Sequence, residues 1–529
     1  MIQAKSTVQE KNSNNPYLFI NLVFSFFPIS FILGSLIVNL NLVLFCCLGI
    51  YYLKSKILTT KFDFSIKIIF LFFFILFFST SLSLIKSLYF EEYDSTALNR
   101  LVKSILFFRF FLLLITIYLL NKFDILLFKY FLLTAAFSSI LLSLDIIYQH
   151  YFGFDIIGLK SSAFRNSGFF GDEAIAGGYL LRFSFFAIFF TIFIFKDKNY
   201  TKFISTVIVI CVVCTGIFFS GNKMPFILFI FGLLLILLFN FKIKKILLMS
   251  FLTLFILFNF IISSDQSFKS HLIAQYSSFY GNATNTFNSF FGSKILNENP
   301  STVFSQSFGH KKSNTPARET SDVRKTFPCY EYAKEKHACS TWIRTSRADV
   351  DELWEGEVTS KTEKSMGQKT TWYSKSRSSF YRKQFLAAIY TWKLNKIFGN
   401  GIKSSYSDCL KLAGPDINIE MDEVIDKKNV TCSNHPHNYY FQILTTTGTV
   451  GLFIIFVIGL LFVVFTLKNF KFIKKFDMTN IILLSTVISF FLETFPLRST
   501  GSLYTTNNAT YIILVGSIII SYKKLLKIK

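Results

Sequence analysis

An all-α polytopic membrane protein with about twelve transmembrane helices is the fold class this sequence predicts, and three observations predict it. The 529 residues have a mean hydropathy of +0.47. Apolar runs recur at close to the roughly 20 residues a helix needs to cross a bilayer. Lysines collect in every second connection between those runs, as the positive-inside rule requires. The net charge of +24 is therefore read as topology and not as a nucleic-acid surface.

The apolar runs fall near residues 17–34, 36–53, 66–86, 101–120, 125–147, 174–195, 203–220, 224–241, 246–263, 438–467, 479–497 and 509–522. Lys54, Lys56 and Lys61, then Lys122, Lys196 with Lys198, Lys242 with Lys244 and Lys245, Lys471 with Lys474 and Lys475, and Lys523 with Lys524 mark the cytoplasmic connections. Both termini are then inside. The first run follows no basic segment and leads to no A-x-A-like cleavage site, so it reads as a retained helix. The opposite face receives EEYD at Glu91 to Asp94, the loop around Arg165, the SGNK turn at Ser220 to Lys223, a long polar segment and the FPLRSTG turn. Three regions follow: an N-terminal helix block at 1–263, an exterior, periplasmic loop module at 264–436, and C-terminal helices at 437–529.

The module holds Trp342, Trp354, Trp372 and Trp392, the whole tryptophan content of the chain. These suit stacking on sugars, or equally the core of a small domain. Residues 310–375 are polar, mixed in charge and without helical or strand periodicity. Phe380 to Ser404 has apolar residues at helical spacing and ends in Gly399 and Gly401, which predicts an amphipathic helix at the membrane surface with a glycine stop. Cys329, Cys339, Cys409 and Cys432 lie in the module and permit two disulfides in any of three connectivities.

Chemistry concentrates around the face opposite the lysines. His437 immediately precedes an apolar helix and is followed by Asn438, Tyr439 and Tyr440, so imidazole, amide and phenol groups meet where water borders hydrocarbon. An unprotonated imidazole is available there near neutral pH to take a proton from a hydroxyl; His435 is its rival. Arg165 sits near Gly168 and Gly171, where backbone amides and a guanidinium fork fit a phosphate. Arg182 and Arg109 stand inside apolar runs, where a charge is costly and calls for a function or for a carboxylate such as Glu173 or Asp145. Lys223 and Arg382 add cations beside the same face. No span carries a DxD-like metal site or HExxH, and the isolated GNG at Gly399 to Gly401 is too short for a nucleotide loop, so neither metal nor cofactor is expected.

Three stretches carry a resemblance. HNYYFQILTTTGTVGLF at His437 to Phe453 is similar to an HNxYLQxLxxxGxxGL motif, FRNSGFFGDEAIAGGYLLR at Phe164 to Arg182 to an R-x-SG-x-F segment, and RKQFLAAIYTWKLNKIFGNGIKS at Arg382 to Ser404 to a loop helix ending in G-x-G. Together with FPLRSTGSLYTTNNATYI at Phe495 to Ile512, they resemble the O-antigen ligase and O-antigen polymerase family of integral membrane glycosyltransferases. That resemblance implies a metal-independent inverting transfer at the periplasmic face of the bacterial inner membrane. An acceptor glycan or lipid A-core would attack a glycan carried on undecaprenyl pyrophosphate. His437 would be the base. Arg165 and Arg382, with Lys223, would hold the pyrophosphate, and Arg182, Asn438 and Tyr439 would border the substrate.

The chain departs from the family at GDEA, Gly171 to Ala174, where many ligases have Pro-Asn, and at Lys223, where arginine is frequent. The GDEAIAGGYLLR variant leans toward a polymerase. The competing class is a transporter or flippase of lipid-linked sugars. Such a protein needs ionisable groups along a path through the membrane and often shows two matching halves; here the groups gather on one side and no repeat is visible.

Overall fold

The computed structural model describes residues 16–54, 56–89, 96–161, 165–171, 173, 175–239, 243–264, 269–270, 273, 372–412, 432–470 and 477–522. Among the described residues the regular structure is helical, with one isolated bridge between Phe154 and Lys160. In chain order the helices are α1 (Leu18–Ser25), α2 (Phe27–Ile32), α3 (Ser35–Leu53), α4 (Lys56–Thr59), α5 (Phe64–Tyr89), α6 (Ala97–Lys122), α7 (Phe128–Phe152) and α8 (Ala176–Ile194). They continue as α9 (Asn199–Phe219), α10 (Lys223–Phe239), α11 (Lys244–Ser264), α12 (Trp372–Leu394), α13 (Ser405–Lys411), α14 (Tyr439–Phe470), α15 (Met478–Glu493) and α16 (Thr506–Tyr522).

Eight of these, α3, α5, α6, α7, α8, α9, α11 and α14, are long and apolar enough to cross a membrane. Among the described residues the chain is thus mostly helical, with helices of the length and apolar character of a membrane protein. The other four predicted spans coincide with shorter helices: α1 with α2, α10, α15 and α16. Pro28 stands in the first turn of α2, where its missing N–H leaves no bond unmade.

Residues Met1–Leu272 and Ser379–Lys529 form one compact unit, and Ile273–Ser378 a second. The expected module of 264–436 is therefore divided: from Ser379 onward it belongs to the helix bundle. Cys329, Cys339, Trp342, Trp354, most of 310–375 and the EEYD stretch lie outside the described residues.

Within the bundle α8 is central, with 78% of its apolar window buried against 11% for α14. A helix apolar on all faces belongs inside, and α8 is enclosed by α7, α9, α10 and α15. Along α14, Phe453, Phe456, Leu460 and Leu467 face outward, as residues in contact with lipid do. Hydrocarbon outside the bundle removes much of the hydrophobic gain from helix association, so close packing and internal hydrogen bonds carry the specificity. Phe24 packs against Phe27, Phe45, Phe128 and Phe131 at centroid distances of 5.1–6.2 Å, joining α1, α2, α3 and α7. Buried Asn21 donates to the Ile125 carbonyl at 3.0 Å and accepts from Leu127 N at 2.6 Å; Asn121 donates to Ser521 Oγ at 2.7 Å.

α14 is broken at Gly448, whose φ of 64° and ψ of −163° are not helical. The groups released by the break are taken up by residues 396–401. Thr449 N donates to the Lys396 carbonyl at 2.9 Å, Val450 N to that of Ile397 at 3.2 Å, and Gly401 N to that of Thr446 at 2.8 Å. Irregular backbone among membrane helices is tolerated where protein satisfies it, and here one segment satisfies the other. A Cβ at Gly448 would stand 2.1 Å from the Ile397 oxygen, and one at Gly399 2.5 Å from the Thr446 carbonyl carbon. Gly399 and Gly401 are therefore not the predicted helix stop. α12 ends earlier, at Leu394, and the glycines allow this backbone contact.

Gly448→Val should cost at least about 2 kcal/mol from left-handed backbone strain alone, before the clash with Ile397. Thermal unfolding of the detergent-purified protein should show a clearly lowered midpoint. An unchanged midpoint would mean that residues 396–401 are not seated in the break.

Candidate functional site

His437 sits just ahead of α14 at the end of the Cys432–Pro436 strap. The strap is tied to α13 by the disulfide between Cys409 and Cys432, one of the pairings the sequence left open. Closing this loop, 23 residues in sequence separation, favours the fold by about 3 kcal/mol in the chain-entropy account. His437 takes a left-handed backbone with φ of 52°, an unfavourable conformation for a residue other than glycine. Its carbonyl accepts from Thr500 N at 2.8 Å, and its neighbour fixes the helix start. Asn438 Oδ1 accepts from Tyr440 N at 2.9 Å and Phe441 N at 3.3 Å, which makes Asn438 the N-cap of α14. Its Nδ2 donates to the Pro496 carbonyl at 2.7 Å.

The His435 and His437 rings lie 4.3 Å apart between centroids. Burial lowers both imidazole pKa values. His435 is pushed down to about 4 by burial and the neighbouring His437, and for His437 the downward shift is opposed by a hydrogen bond to the Thr500 backbone. Burial thus disfavours the charged form of both rings. An imidazole whose charged form is disfavoured is suited to accept a proton transiently from a hydroxyl.

Behind His437 lies a buried ion cluster. Arg182 grips Glu493 with both arms of its fork, Nε to Oε2 at 3.0 Å and Nη2 to Oε1 at 2.7 Å, and Nη2 also donates to Asn508 Oδ1 at 2.6 Å. Arg498 donates to Glu493 Oε2, and Tyr439 Oη to Oε1 at 2.9 Å. Tyr511 lies under the Arg182 guanidinium at 4.9 Å and donates its hydroxyl to the Arg182 carbonyl. Glu493 is 1% exposed, and two guanidiniums share it, so the cluster carries one net positive charge. The carboxylate partner of Arg182 is thus Glu493, not Glu173 or Asp145. Asp145 instead accepts from Ile156 N at 3.0 Å, and Glu173 is exposed. Arg109 donates to Thr506 Oγ1 at 3.5 Å and the Leu106 carbonyl at 3.3 Å, and lies 4.6 Å over Phe110; among the described residues no carboxylate pairs with it.

The other predicted cations approach α8 from its N-terminal side. Arg165 is exposed, and its loop is pinned by Asn166 Nδ2 donating to the Phe219 carbonyl at 2.8 Å and Gly168 N donating to Gln149 Oε1 at 2.9 Å. Phe219 begins the turn that ends at Lys223, the first residue of α10. A Cβ on Gly177 would meet Ser220 and Asn222 at 2.5 and 2.8 Å, so this turn packs against the start of α8. Arg182 is five residues further on, about 7.5 Å along the helix axis. The structure therefore gathers Arg165 and Lys223 around one turn, and His437, Asn438, Tyr439 and Arg182 around Glu493. Arg382 lies within α12, and its side chain is outside the described residues.

Glu493 and Arg498 are central here, although the sequence reading passed over both. A lone glutamate in the apolar run FFLETF was the available signal, since an acid inside a span needs a partner. Arg100 was also missed; it is 6% exposed and donates to Ser407 Oγ at 3.2 Å, linking α6 to α13. Among the described residues no three His, Cys, Asp or Glu side chains converge as metal ligands. No family model matches this chain, and no curated protein matches it.

Glu493→Gln leaves two buried guanidiniums without their carboxylate and should cost about 3–5 kcal/mol, read as a lower unfolding midpoint. A midpoint equal to wild type would remove the cluster from the fold's support. His435 gives a pH dependence. Its folded pKa lies below the unfolded value of roughly 6.5, so the stability of its neutral form is full above that pH and is lost as pH falls toward 4. The unfolding midpoint should decline across that window, and less steeply in His435→Gln; equal slopes would show that His435 is not the group responsible.

Proposed function

We propose that this chain is a polytopic membrane glycosyltransferase of the O-antigen polymerase or ligase kind, with twelve spans and a site facing the periplasm. The observation that carries the reading is His437, an imidazole held at the mouth of a membrane helix beside a buried cluster of net positive charge. The Cys409–Cys432 disulfide supports an oxidising compartment for this end of the bundle, away from the cytoplasm. Group transfer there draws on a donor already carried across the membrane, which an undecaprenyl pyrophosphate-linked glycan is.

In this reading the imidazole of His437 takes the proton of an acceptor sugar hydroxyl as its oxygen bonds to the anomeric carbon of the donor. The bond from that carbon to the pyrophosphate oxygen breaks, its electron pair stays with the pyrophosphate, and the configuration inverts. Arg165 and Arg382, with Lys223, meet the leaving pyrophosphate, where bidentate contacts strengthen as negative charge develops. Arg182, Asn438 and Tyr439 act differently from a direct ligand set: their polar groups bind Glu493, Asn508 and the turn after α15, and so position His437. The acceptor is another lipid-linked repeat in a polymerase and lipid A-core in a ligase, and the GDEAIAGGYLLR variant favours the polymerase.

A broken helix such as α14 is also a feature of transporters, where freed carbonyls coordinate ions. Here the Thr446 carbonyl is occupied by Gly401 N, which favours a structural break.

The test is a gel profile of glycan in cells lacking the protein, complemented with wild type or His437→Ala. Loss of long chains from both the carrier-lipid and lipid A pools with single repeats left marks a polymerase; long chains held on the carrier mark a ligase. His437→Ala should match the deletion at normal protein abundance. Normal glycan in that variant would refute the base, and two unchanged pools in the deletion would refute the function.

A further inference from the structure

Arg109 stands inside a membrane span and takes no part in the transfer proposed above. It is the thirteenth residue of α6, and the 13 steps from it to Lys122 cover about 20 Å along the axis. A hydrocarbon core is about 30 Å thick, so Arg109 lies within it, in the half nearer His437. On the same face of α6, one turn away in either direction, Ile105, Leu106 and Leu112 are exposed, as are Leu36 and Leu40 on the adjoining α3. Lipid tails are what such a surface meets, and Arg109 is itself partly exposed on it.

A guanidinium offers five N–H donors. Arg109 makes two long bonds, to the Leu106 carbonyl at 3.3 Å and Thr506 Oγ1 at 3.5 Å, and its Nε makes none. The Thr506 hydroxyl is shared besides, since Asn39 Nδ2 donates to it at 3.2 Å. The face of Phe110 attracts the charge without neutralising it. Arg182, deeper in the bundle, has Glu493; among the described residues no carboxylate pairs with Arg109. A cation in hydrocarbon is costly without an anion, and on a lipid-facing stripe the anion within reach is a lipid's.

The local architecture brings a headgroup close. Both bonds draw the guanidinium toward the N-terminal end of α6. Thr506 is the first residue of α16 and Asn39 the fifth of α3, so these helices begin within about 6 Å of this level, whereas α6 continues about 18 Å past it. The end of the bundle is therefore stepped beside Arg109.

We infer that Arg109 binds the phosphate of an anionic phospholipid of the leaflet on the His437 side, seated against α3, α6 and the first turn of α16. A phosphodiester carries a single negative charge, which one guanidinium matches, and its tails cover Leu36, Leu40, Leu106 and Leu112. A water-borne anion gains no such apolar contact. Thr506 stands two residues before Asn508, which accepts from Arg182, so the lipid steadies the turn that supports the buried ion cluster.

The experiment is native mass spectrometry of the purified full-length protein in a neutral detergent, titrated with phosphatidylglycerol or phosphatidylcholine. Wild type should bind phosphatidylglycerol more tightly. Arg109→Gln should weaken its first binding step about fivefold, the effect of one arginine near a membrane surface, and leave phosphatidylcholine unaffected. Leu106→Glu, which supplies a carboxylate one turn from Arg109, should weaken it likewise at an unchanged unfolding midpoint and covers the case in which the first variant folds poorly. Lys129→Gln, which removes an exposed cation at the other end of the bundle, should leave that step as in wild type. Wild-type affinity in both Arg109→Gln and Leu106→Glu, or an equal loss in Lys129→Gln, would overturn the proposal. Displacement of phosphatidylglycerol by inorganic phosphate, or by undecaprenyl phosphate at a lower concentration than phosphatidylglycerol itself, would also overturn it, the first in favour of a water-borne anion and the second in favour of the carrier lipid. None of these measurements reads glycan transfer, so the lipid site and the enzyme stand or fall separately.

Discussion

The carboxylate of Glu493 is the constraint on which this end of the bundle depends. It is the last residue of α15 and is almost wholly enclosed, and four other parts of the chain meet at or around it: Arg182 from the middle of α8, Tyr439 from the start of α14, Arg498 from the turn that follows, and Asn508 of α16 through Arg182. Removing an anion from water is costly, and a pair rarely recovers that cost unless its remaining lone pairs are also met. Both oxygens of Glu493 are met. The turn held by Arg498 then supplies the Pro496 carbonyl to Asn438 and Thr500 N to the His437 carbonyl. The strained backbone of His437 is therefore held from a carboxylate it does not touch.

A second constraint acts from the opposite side. The break at Gly448 separates the first turns of α14 from its long lipid-facing portion, and residues 396–401 bridge the two. Three consecutive threonines precede the break, and each returns its hydroxyl to a carbonyl one turn back. The Thr445 and Thr446 hydroxyls also meet Ser405 Oγ and Tyr504 Oη, while the main chain pairs with the Gly399–Gly401 segment. Because that segment continues directly from α12, the helix that carries Gln384 is fixed relative to the helix that His437 precedes. The Phe385 and Phe441 rings, 5.1 Å apart, close the same contact further up.

How much of this the sequence disclosed follows from the range of the interactions. Apolar period and length are local, and each of the twelve expected spans falls on a helix or helix pair. His437 at a helix mouth was equally legible, since the boundary between polar and apolar sequence is itself local. Glu493 as the partner of Arg182 was not, because 311 residues separate them and Asp145 and Glu173 were nearer in the chain. The two glycine motifs were visible separately as G-x-G and TTTGTVG; that each exists to admit the other's backbone is a fact of contact. The early end of α15 was also hidden, because Phe495, Pro496 and Leu497 carry the apolar run past Glu493, where the helix stops.

These two constraints divide the surroundings of His437 by charge. On the side of α8, α15 and the turn after it, two arginines outnumber one glutamate, and Arg165 and Lys223 are brought to the N-terminal end of the same helix. On the side of α12, α13 and the strap, the lining among the described residues is an amide, hydroxyls and an imidazole whose charged form burial disfavours. His437 is joined to both, through the Thr500 backbone to the first and through the His435 ring to the second. A base that serves a displacement at carbon has the same two neighbours to satisfy, a neutral nucleophile and an anionic leaving group. In the proposed transfer the cations on the first side meet the anionic leaving group, and the imidazole stands between them and the strap.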